Sequence, residues 1–308
     1  MAMHDSWGPT GPTGPPVRRW HPSLLAELGV PGPLGDVLAA AGVPEEVGPY
    51  FRAADAPAPL MRYAEESGLS QPVGEATAFW RLGDDAGSQI CWAPTGGIHA
   101  ASCGAVFPTR LVNSSAQTWL TALAGLRTLL QRLSDDPIGP DAVAAVTAFR
   151  DGLAALDPEA MADEDNWWPL VTDDLRLTAS VDASGIIEFR TATGATRTVS
   201  GYSLPGQGHV ARRLGTELLK RDIEADRVTR IHTDLEPCEL PGCYCAAWLA
   251  ATFPEAEVTY SFDYGPGAAE RAAGIAELTA FIEESGESEE SEESAESERS
   301  KGSGESAE

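Results

Sequence analysis

Apolar positions along the chain change period several times, and each change predicts an element. Residues 23–28 and 34–41 read as short helical stretches, and residues 77–82 and 89–93 as strands. Gly96-Gly97 separates Ile90-Cys91-Trp92-Ala93 from Ile98-His99-Ala100-Ala101, so this pair reads as a hairpin. Trp119, Leu120, Leu123, Leu126, Leu130 and Leu133 then recur at helical spacing. That amphipathic helix begins after Asn113-Ser114-Ser115, residue types whose side chains accept from the free amides of a first turn. Val143, Val146, Phe149 and Leu153 mark a second helix, closed by Leu156-Asp157-Pro158 ahead of a short acidic segment that carries Trp167-Trp168.

The pattern shifts near residue 172. Alternating apolar positions flank Asp182-Ala183-Ser184-Gly185 and predict a second hairpin there. Leu214, Leu218 and Leu219 give the next segment a helical face, Val228 and Ile231 a short strand, and residues 246–253 a mostly apolar helix. Val258, Tyr260 and Phe262 alternate as a strand, and Ile275, Leu278, Phe281 and Ile282 stripe a last helix over residues 268–282. Helices interleaved with strands behind a hairpin predict a three-layer α/β/α domain. The expected fold class is therefore α/β, with an α+β domain over residues 20–172 and a three-layer domain with its C-terminal helix over 173–282. A Gly/Pro/Thr-rich N-terminus (1–19) and an acidic tail (283–308) are expected to be disordered.

Composition narrows what such a chain does. At 308 residues it is long enough for two cores, and its longest apolar runs are far short of a membrane-spanning helix. No basic segment followed by an apolar one opens the chain, so no Sec-type signal is visible and cytoplasmic synthesis is expected. The formal charge is −26, of which the last 26 residues supply −9 through 11 Glu against Arg299 and Lys301. Between residues 173 and 264, 14 acidic side chains exceed 9 basic ones, which is not the electrostatic footprint of a nucleic-acid surface. Five cysteines, three of them Cys238, Cys243 and Cys245, do not form an even disulfide framework, and a metal site or a buried thiol set is the better reading.

Candidate chemistry lies in the second half. His209 follows Pro205-Gly206-Gln207-Gly208 at the start of one helix, and Pro237-Cys238 is expected to open the next, with Cys243 and Cys245 behind it. One imidazole and two thiolates leave a fourth zinc position for water. His209, Cys238 and Cys245 are the preferred ligands because Cys245 begins the apolar helix, with Cys243 as the alternative third ligand. A closed structural site using all four residues is the competing reading. An H-x-E together with a P-C-x-x-C is the signature of zinc deaminases, in which a non-ligand Glu moves protons.

At these residues the second half resembles the bacterial toxin deaminases of polymorphic secretion systems. The resemblance runs from about Leu175 to Phe262, and it implies zinc as cofactor, a nucleotide or nucleic acid as substrate, and delivery into a target cell as an alternative to a cytoplasmic location. Two departures stand out. Six residues separate Cys238 from Cys245, and Ala211 stands where the H-x-E glutamate belongs. A natural loss of activity, an engineered replacement and a relocated carboxylate, with Glu236 and Glu239 nearest, all fit Ala211. Tyr202 and Tyr244 are candidates for stacking on a base, as is Trp248. Arg212, Arg213, Lys220, Arg221, Arg227 and Arg230 form either a phosphate-facing patch or a solvated helix face.

The first half shows no catalytic pattern: His99 is a lone imidazole, and Cys91 and Cys103 read as core thiols. Its ICWAPTGGIHAA strand pair, RLVNSSAQTWLTAL and VTAFRDGLAALDPEAM followed by WWPLV resemble the SUKH superfamily of immunity proteins, in particular the SUKH-4 type. That resemblance implies a binding module whose partner is a cognate toxin or immunity protein. Two functions are thus in view: a zinc deaminase lacking its acid/base, and a non-catalytic immunity-type binding protein with a degenerate deaminase-fold domain.

Overall fold

The structure is a computed structural model that describes residues 16–104 and 106–302. In the first half, β1 (Val17–Arg18), α1 (Pro22–Glu27), α2 (Gly32–Ala40), β2 (Val43–Pro44) and β3 (Glu46–Val47) lead into β4 (Phe51–Pro59) and α3 (Leu60–Glu66). Then come β5 (Trp80–Asp84), β6 (Gln89–Trp92), β7 (Ile98–Ala101), β8 (Arg110–Asn113), α4 (Ala116–Asp135), α5 (Pro140–Leu156) and α6 (Trp167–Thr178). Strands β3 to β8 form one antiparallel sheet in chain order. The expected β6–β7 hairpin is present, with Trp92 opposite Ile98. Ser115 caps α4, its Oγ accepting from the Thr118 amide at 3.2 Å, as the Asn-Ser-Ser segment predicts.

Leu123 and Leu126 of α4 are fully buried against Phe51, Leu82 and Ile90 from the sheet and Trp167 and Trp168 from α6. Phe51 meets Trp119 edge to face at 5.1 Å between centroids. Asp157 closes the end of α5. Its Oδ2 accepts from Asn113 Nδ2 (2.9 Å), the Ser114 amide (2.8 Å) and Thr118 Oγ1 (3.0 Å).

The second half comprises β9 (Ser184–Arg190), β10 (Thr196–Tyr202), α7 (Val210–Lys220), β11 (Val228–Leu235), α8 (Cys245–Thr252), β12 (Glu257–Phe262) and α9 (Ala268–Gly302). The sheet order is β10-β9-β11-β12, antiparallel except for the β11–β12 pair. Helices α7 and α8 bury Leu218, Leu249 and Phe253 on Ile187, Phe189 and Ile231. The other face of β9 leaves Ile186 46% exposed, and α9 packs on β11, β12 and α6. The fold is thus mixed α/β in two parts.

Three expectations change. The hairpin predicted around residues 182–185 lies one strand later, between β9 and β10, because residues 167–178 are helical. Helix α6 is buried on nearly every side: Trp167, Trp168, Val171 and Leu175 join the first-half core, whereas Leu170 and Leu177 join a second-half cluster with Cys238 and Ile275. A helix shared between two cores has no polar stripe, so its period is not visible, and Leu175 and Leu177 imitate strand alternation. Residue 172, where the pattern divides the chain, falls inside this helix.

The acidic run from residue 283 continues α9 as helix to Gly302 instead of ending it. Glu and Ala are strong helix formers, and no proline interrupts them. Residues 1–15 and 303–308 of the two predicted disordered ends lie outside the described residues, while Val17 and Arg18 pair with Pro44 and Val43.

Candidate metal centre

Two short segments meet at the carboxyl ends of the parallel β11–β12 pair, the usual place for a site in an open α/β sheet. The first is the turn before α7. Gly206 (φ +70°) and Gly208 (φ +83°) adopt left-handed geometry that glycine tolerates, and they deliver His209 to the residue preceding the helix. The second leaves β11 through Glu236 and Pro237 to Cys238, turns at Pro241-Gly242, and starts α8 at Cys245. Cys238 therefore lies ahead of the helix rather than opening it. Tyr244, in left-handed geometry at φ +41°, ends the turn, and the Ala246 amide returns to the Cys238 carbonyl at 3.0 Å.

This path brings one donor atom each of His209, Cys238 and Cys245 within 4.8 Å of one another. Cys238 Sγ stands 3.2 Å from His209 Nδ1. Cys243 falls in a different group, with His209 and Asp174, and among the described residues no mutually close set holds all three cysteines. One imidazole, 16% exposed, and two buried thiols match the nitrogen and sulfur preference of zinc and the count of a three-ligand site. The residues present fit that metal.

The electrostatics agree. Burial alone would lower the His209 pKa, but Cys238, Cys243, Asp174 and Cys245 around it outweigh burial and hold it well above the usual imidazole range. Burial likewise opposes ionisation of Cys238, yet hydrogen bonds from Cys243 and Cys245 and the neighbouring His209 bring its pKa well below that of an ordinary thiol. Cys243 and Cys245, as donors to Cys238 and buried, are pushed up. The surroundings thus favour the charged form of His209 and, of the three thiols, the anion of Cys238.

A small cavity of about 30 Å³ adjoins the donors and is lined by His209, Ala211 and Cys245. It holds a water or two but not a nucleobase. Leu177 and Val181 from the α6 end and Ile275 from α9 close it on one side. Ala211 is buried (3% exposed) and faces this space, where the signature glutamate would stand. Glu236 is also in the lining, its Oε2 accepting from the Tyr264 amide at 3.1 Å, whereas Glu239 lines a separate cleft.

Neither tyrosine read as a base-stacking candidate is at the cavity. Tyr244 is 1% exposed and turns away into the first half: its hydroxyl donates to Asp85 Oδ2 (3.0 Å) and Ser88 Oγ (3.1 Å), and its ring lies on Phe107 at 4.7 Å. A polar tip of a buried tyrosine needs a partner, and Asp85 supplies it. Tyr202 is 55% exposed on β10, with its carbonyl accepting from Arg213. Trp248 packs on Phe253 and takes Arg212 over its ring.

Most of the suspected basic patch is held by partners within the chain, although Arg212, Arg213, Lys220 and Arg221 line one cleft. Arg212 donates to the carbonyls of Cys243 and Ala86, while Arg221, Arg227 and Arg230 pair with Glu217, Glu224 and Glu257. In the first half His99 stacks on Phe79 and Cys91 is a buried thiol, as the pattern implies.

Sequence reading missed Asp174. Its Oδ1 lies 2.6 Å from His209 Nε2 and its Oδ2 accepts from Tyr50 Oη at 3.2 Å. The available signal was the Asp173-Asp174 pair inside an otherwise apolar stretch, since two acids on a buried helix require partners. No helix among the described residues is long and apolar enough to cross a membrane.

Comparison with known proteins agrees with this division. A family model described as the SUKH-4 immunity protein matches residues 2–174, and one described as a Xanthomonas-like deaminase matches residues 182–281. No curated protein and no solved structure matches the chain. The first match spans more than half of the chain, so the chain belongs to the SUKH-4 immunity protein family, and it bears a deaminase-like domain behind the immunity domain.

Proposed function

We propose that the second half is a zinc deaminase-type domain of a toxin/immunity system, with His209, Cys238 and Cys245 as ligands and hydrolytic deamination of a base in a nucleotide or nucleic acid as its reaction class. In that reaction water replaces the exocyclic amine of cytosine or adenine and ammonia leaves. The observation that carries the reading is the mutually close His209, Cys238 and Cys245 donors beside a cavity faced by Ala211.

When bound, zinc would supply an acidified water at the fourth position. The chain's own part is proton traffic, and at position 211 it has no group for that. Loss of a general acid/base costs about 10² to 10⁴ in rate, so the chain as it stands is essentially inactive. Glu236 is the one carboxylate in the cavity lining, but it is engaged with the Tyr264 amide.

The non-catalytic alternative has a specific observation in its favour: the cavity is too small for a base while Leu177, Val181 and Ile275 remain in place. In that case the SUKH half engages a toxin-type partner and the deaminase fold is retained as scaffold.

Ala211→Glu decides between them. On mixed DNA, RNA and nucleoside substrates the variant should raise uracil or inosine formation by about 10² or more, in a zinc-dependent way. A zinc-loaded Ala211→Glu chain with no gain on any substrate favours the binding protein. Metal analysis of Cys238→Ser, Cys243→Ser and Cys245→Ser checks the ligands: zinc should survive only in the Cys243 variant.

A further inference from the structure

Asp174 has an unusual position for a buried acid. It is 2% exposed, and its ion-pair partner is His209; the nearby guanidinium groups of Arg271 and Arg176 are taken by Asp173 instead. A buried carboxylate is costly unless charge and hydrogen bonds compensate it. The compensation comes from two directions, the imidazole of His209 at 2.6 Å and the phenol of Tyr50 at 3.2 Å. Tyr50 is itself 1% exposed and precedes β4 of the first-half sheet, so no solvent competes for either bond.

The bonding fixes which ring nitrogen does what. A carboxylate only accepts, so Nε2 of His209 carries its hydrogen toward Asp174, and Nδ1 is the nitrogen turned to Cys238 Sγ. A metal-bound histidine with its second nitrogen donating to a carboxylate is the usual way in which ring orientation and basicity are set. Here that carboxylate sits on α6, the helix shared by both cores, and is held by a first-half side chain.

The cysteine segment is gripped from the same side. Tyr244, between Cys243 and Cys245, donates to Asp85 and Ser88, and Arg212 links the Cys243 carbonyl to that of Ala86.

We propose that Asp174 and Tyr50 are positioning residues for His209, acting from the immunity-domain side, so that zinc affinity depends on the docked arrangement of the two halves and zinc in turn strengthens that docking. This rests on the zinc reading above. Coupling of this kind is reciprocal: what the docked first half adds to zinc binding, zinc adds to docking.

The test uses the full chain and zinc itself. Zinc affinity is measured by competition with a chromophoric chelator for the parent, Tyr50→Phe, Asp174→Asn and Cys238→Ser. Asp174→Asn should weaken zinc binding about 10- to 100-fold, and Tyr50→Phe, which removes one oxygen and keeps the ring, should weaken it less and in the same direction. A double variant should fall short of the product of the two, because both act through one hydrogen-bonded chain. Amide exchange at residues 85–88 should slow when zinc is added to the parent and respond little in Asp174→Asn, which loss of packing alone does not produce.

If Asp174→Asn and Tyr50→Phe bind zinc within ~twofold of a parent whose zinc requires Cys238, the positioning role is overturned while the zinc site stands. A parent chain that takes up no zinc would overturn the zinc reading and this inference together.

Discussion

The two halves complete their interiors differently. The immunity domain builds its large core from its own elements, from Trp20 and Leu34 through Leu123 and Leu126 to Trp168, with a smaller cluster around Leu60, Phe79 and Cys91 beside it. The deaminase-like domain has two smaller clusters, and the one around its cysteines is finished by Leu170 and Leu177 from α6. Two buried aspartates, both on the first half of the chain, accept several donors. Asp157 lies within the first half, whereas Asp85 stands at the seam and accepts from Ser88, Trp167 and Tyr244. Their pKa values move in opposite directions. Burial dominates at Asp85 and raises it despite the donors. At Asp157, burial is opposed by the donors of Asn113, Ser114 and Thr118, and these win and lower it. Desolvation acts at both carboxyls; at the seam it outweighs the donors, and at Asp157 the donors outweigh it.

The largest effect should come from breaking the seam at that carboxylate. Asp85→Ala leaves the Trp167 indole and the Ser88 amide buried without their acceptor, while the Tyr244 and Ser88 hydroxyls keep only each other. At ~1 to 3 kcal/mol for each stranded group, denaturant unfolding should report a loss of about 4 kcal/mol. If the halves were merely adjacent, removing the one second-half donor named here, in Tyr244→Phe, would cost no more than removing a surface hydroxyl. The parent's own pH response should run against that of an ordinary salt-bridged acid: with a raised folded pKa, the Asp85 contribution declines as pH rises from about 4 through that pKa.

A smaller effect should come from steric insertion at the same place. A Cβ added to Gly87 would come within 2.0 Å of the Tyr244 ring, so Gly87→Ala has to displace the turn that separates Cys243 from Cys245. Overpacking of this kind costs about 1 to 3 kcal/mol. Tyr244→Phe tests the same contact by subtraction, and zinc affinity should follow stability downward in Gly87→Ala. Unchanged zinc affinity in a destabilised Gly87→Ala chain would separate the seam from the metal centre.

Much of this architecture is legible in periodicity and local chemistry. The β6–β7 hairpin follows from its Gly-Gly turn, the cap and apolar stripe of α4 and the face of α7 from helices with one side in a core and one in water, and the order β11, α8, β12 from the change of period along the chain. Helix α6 does not show in the pattern, since it has no solvent face. His209, Cys238 and Cys245 are visible as residue types that chemistry brings together. Asp174 and Asp85 are not, because their roles depend on partners more than 30 residues away in sequence. Tyr244 misleads for the same reason: an aromatic beside a metal ligand reads as a stacking platform, and only the fold reveals that its hydroxyl has an acceptor in the other half.

The smallest predicted effect belongs to the self-contained half and is read through pH. Asp157 Oδ2 gathers three donors, and Asn113, one of them, accepts in turn from the Trp168 indole at 2.9 Å. Hydrogen bonds to a charged acceptor contribute more than neutral ones, so Asp157→Asn, which keeps an oxygen for the donors but removes the charge, should cost about 1 kcal/mol near neutral pH. The folded pKa is depressed below the ordinary carboxylate value of 3.8, so this contribution is complete above that value and is lost as pH falls below it through the folded pKa. The stability difference between the parent and Asp157→Asn should therefore be constant from pH 7 down to about 5 and shrink toward zero on further acidification. Denaturant midpoints measured across that range give the answer. A difference that instead widens in acid would mean that Asp157, like Asp85, is governed by burial, and the contrast between the two regions would be lost.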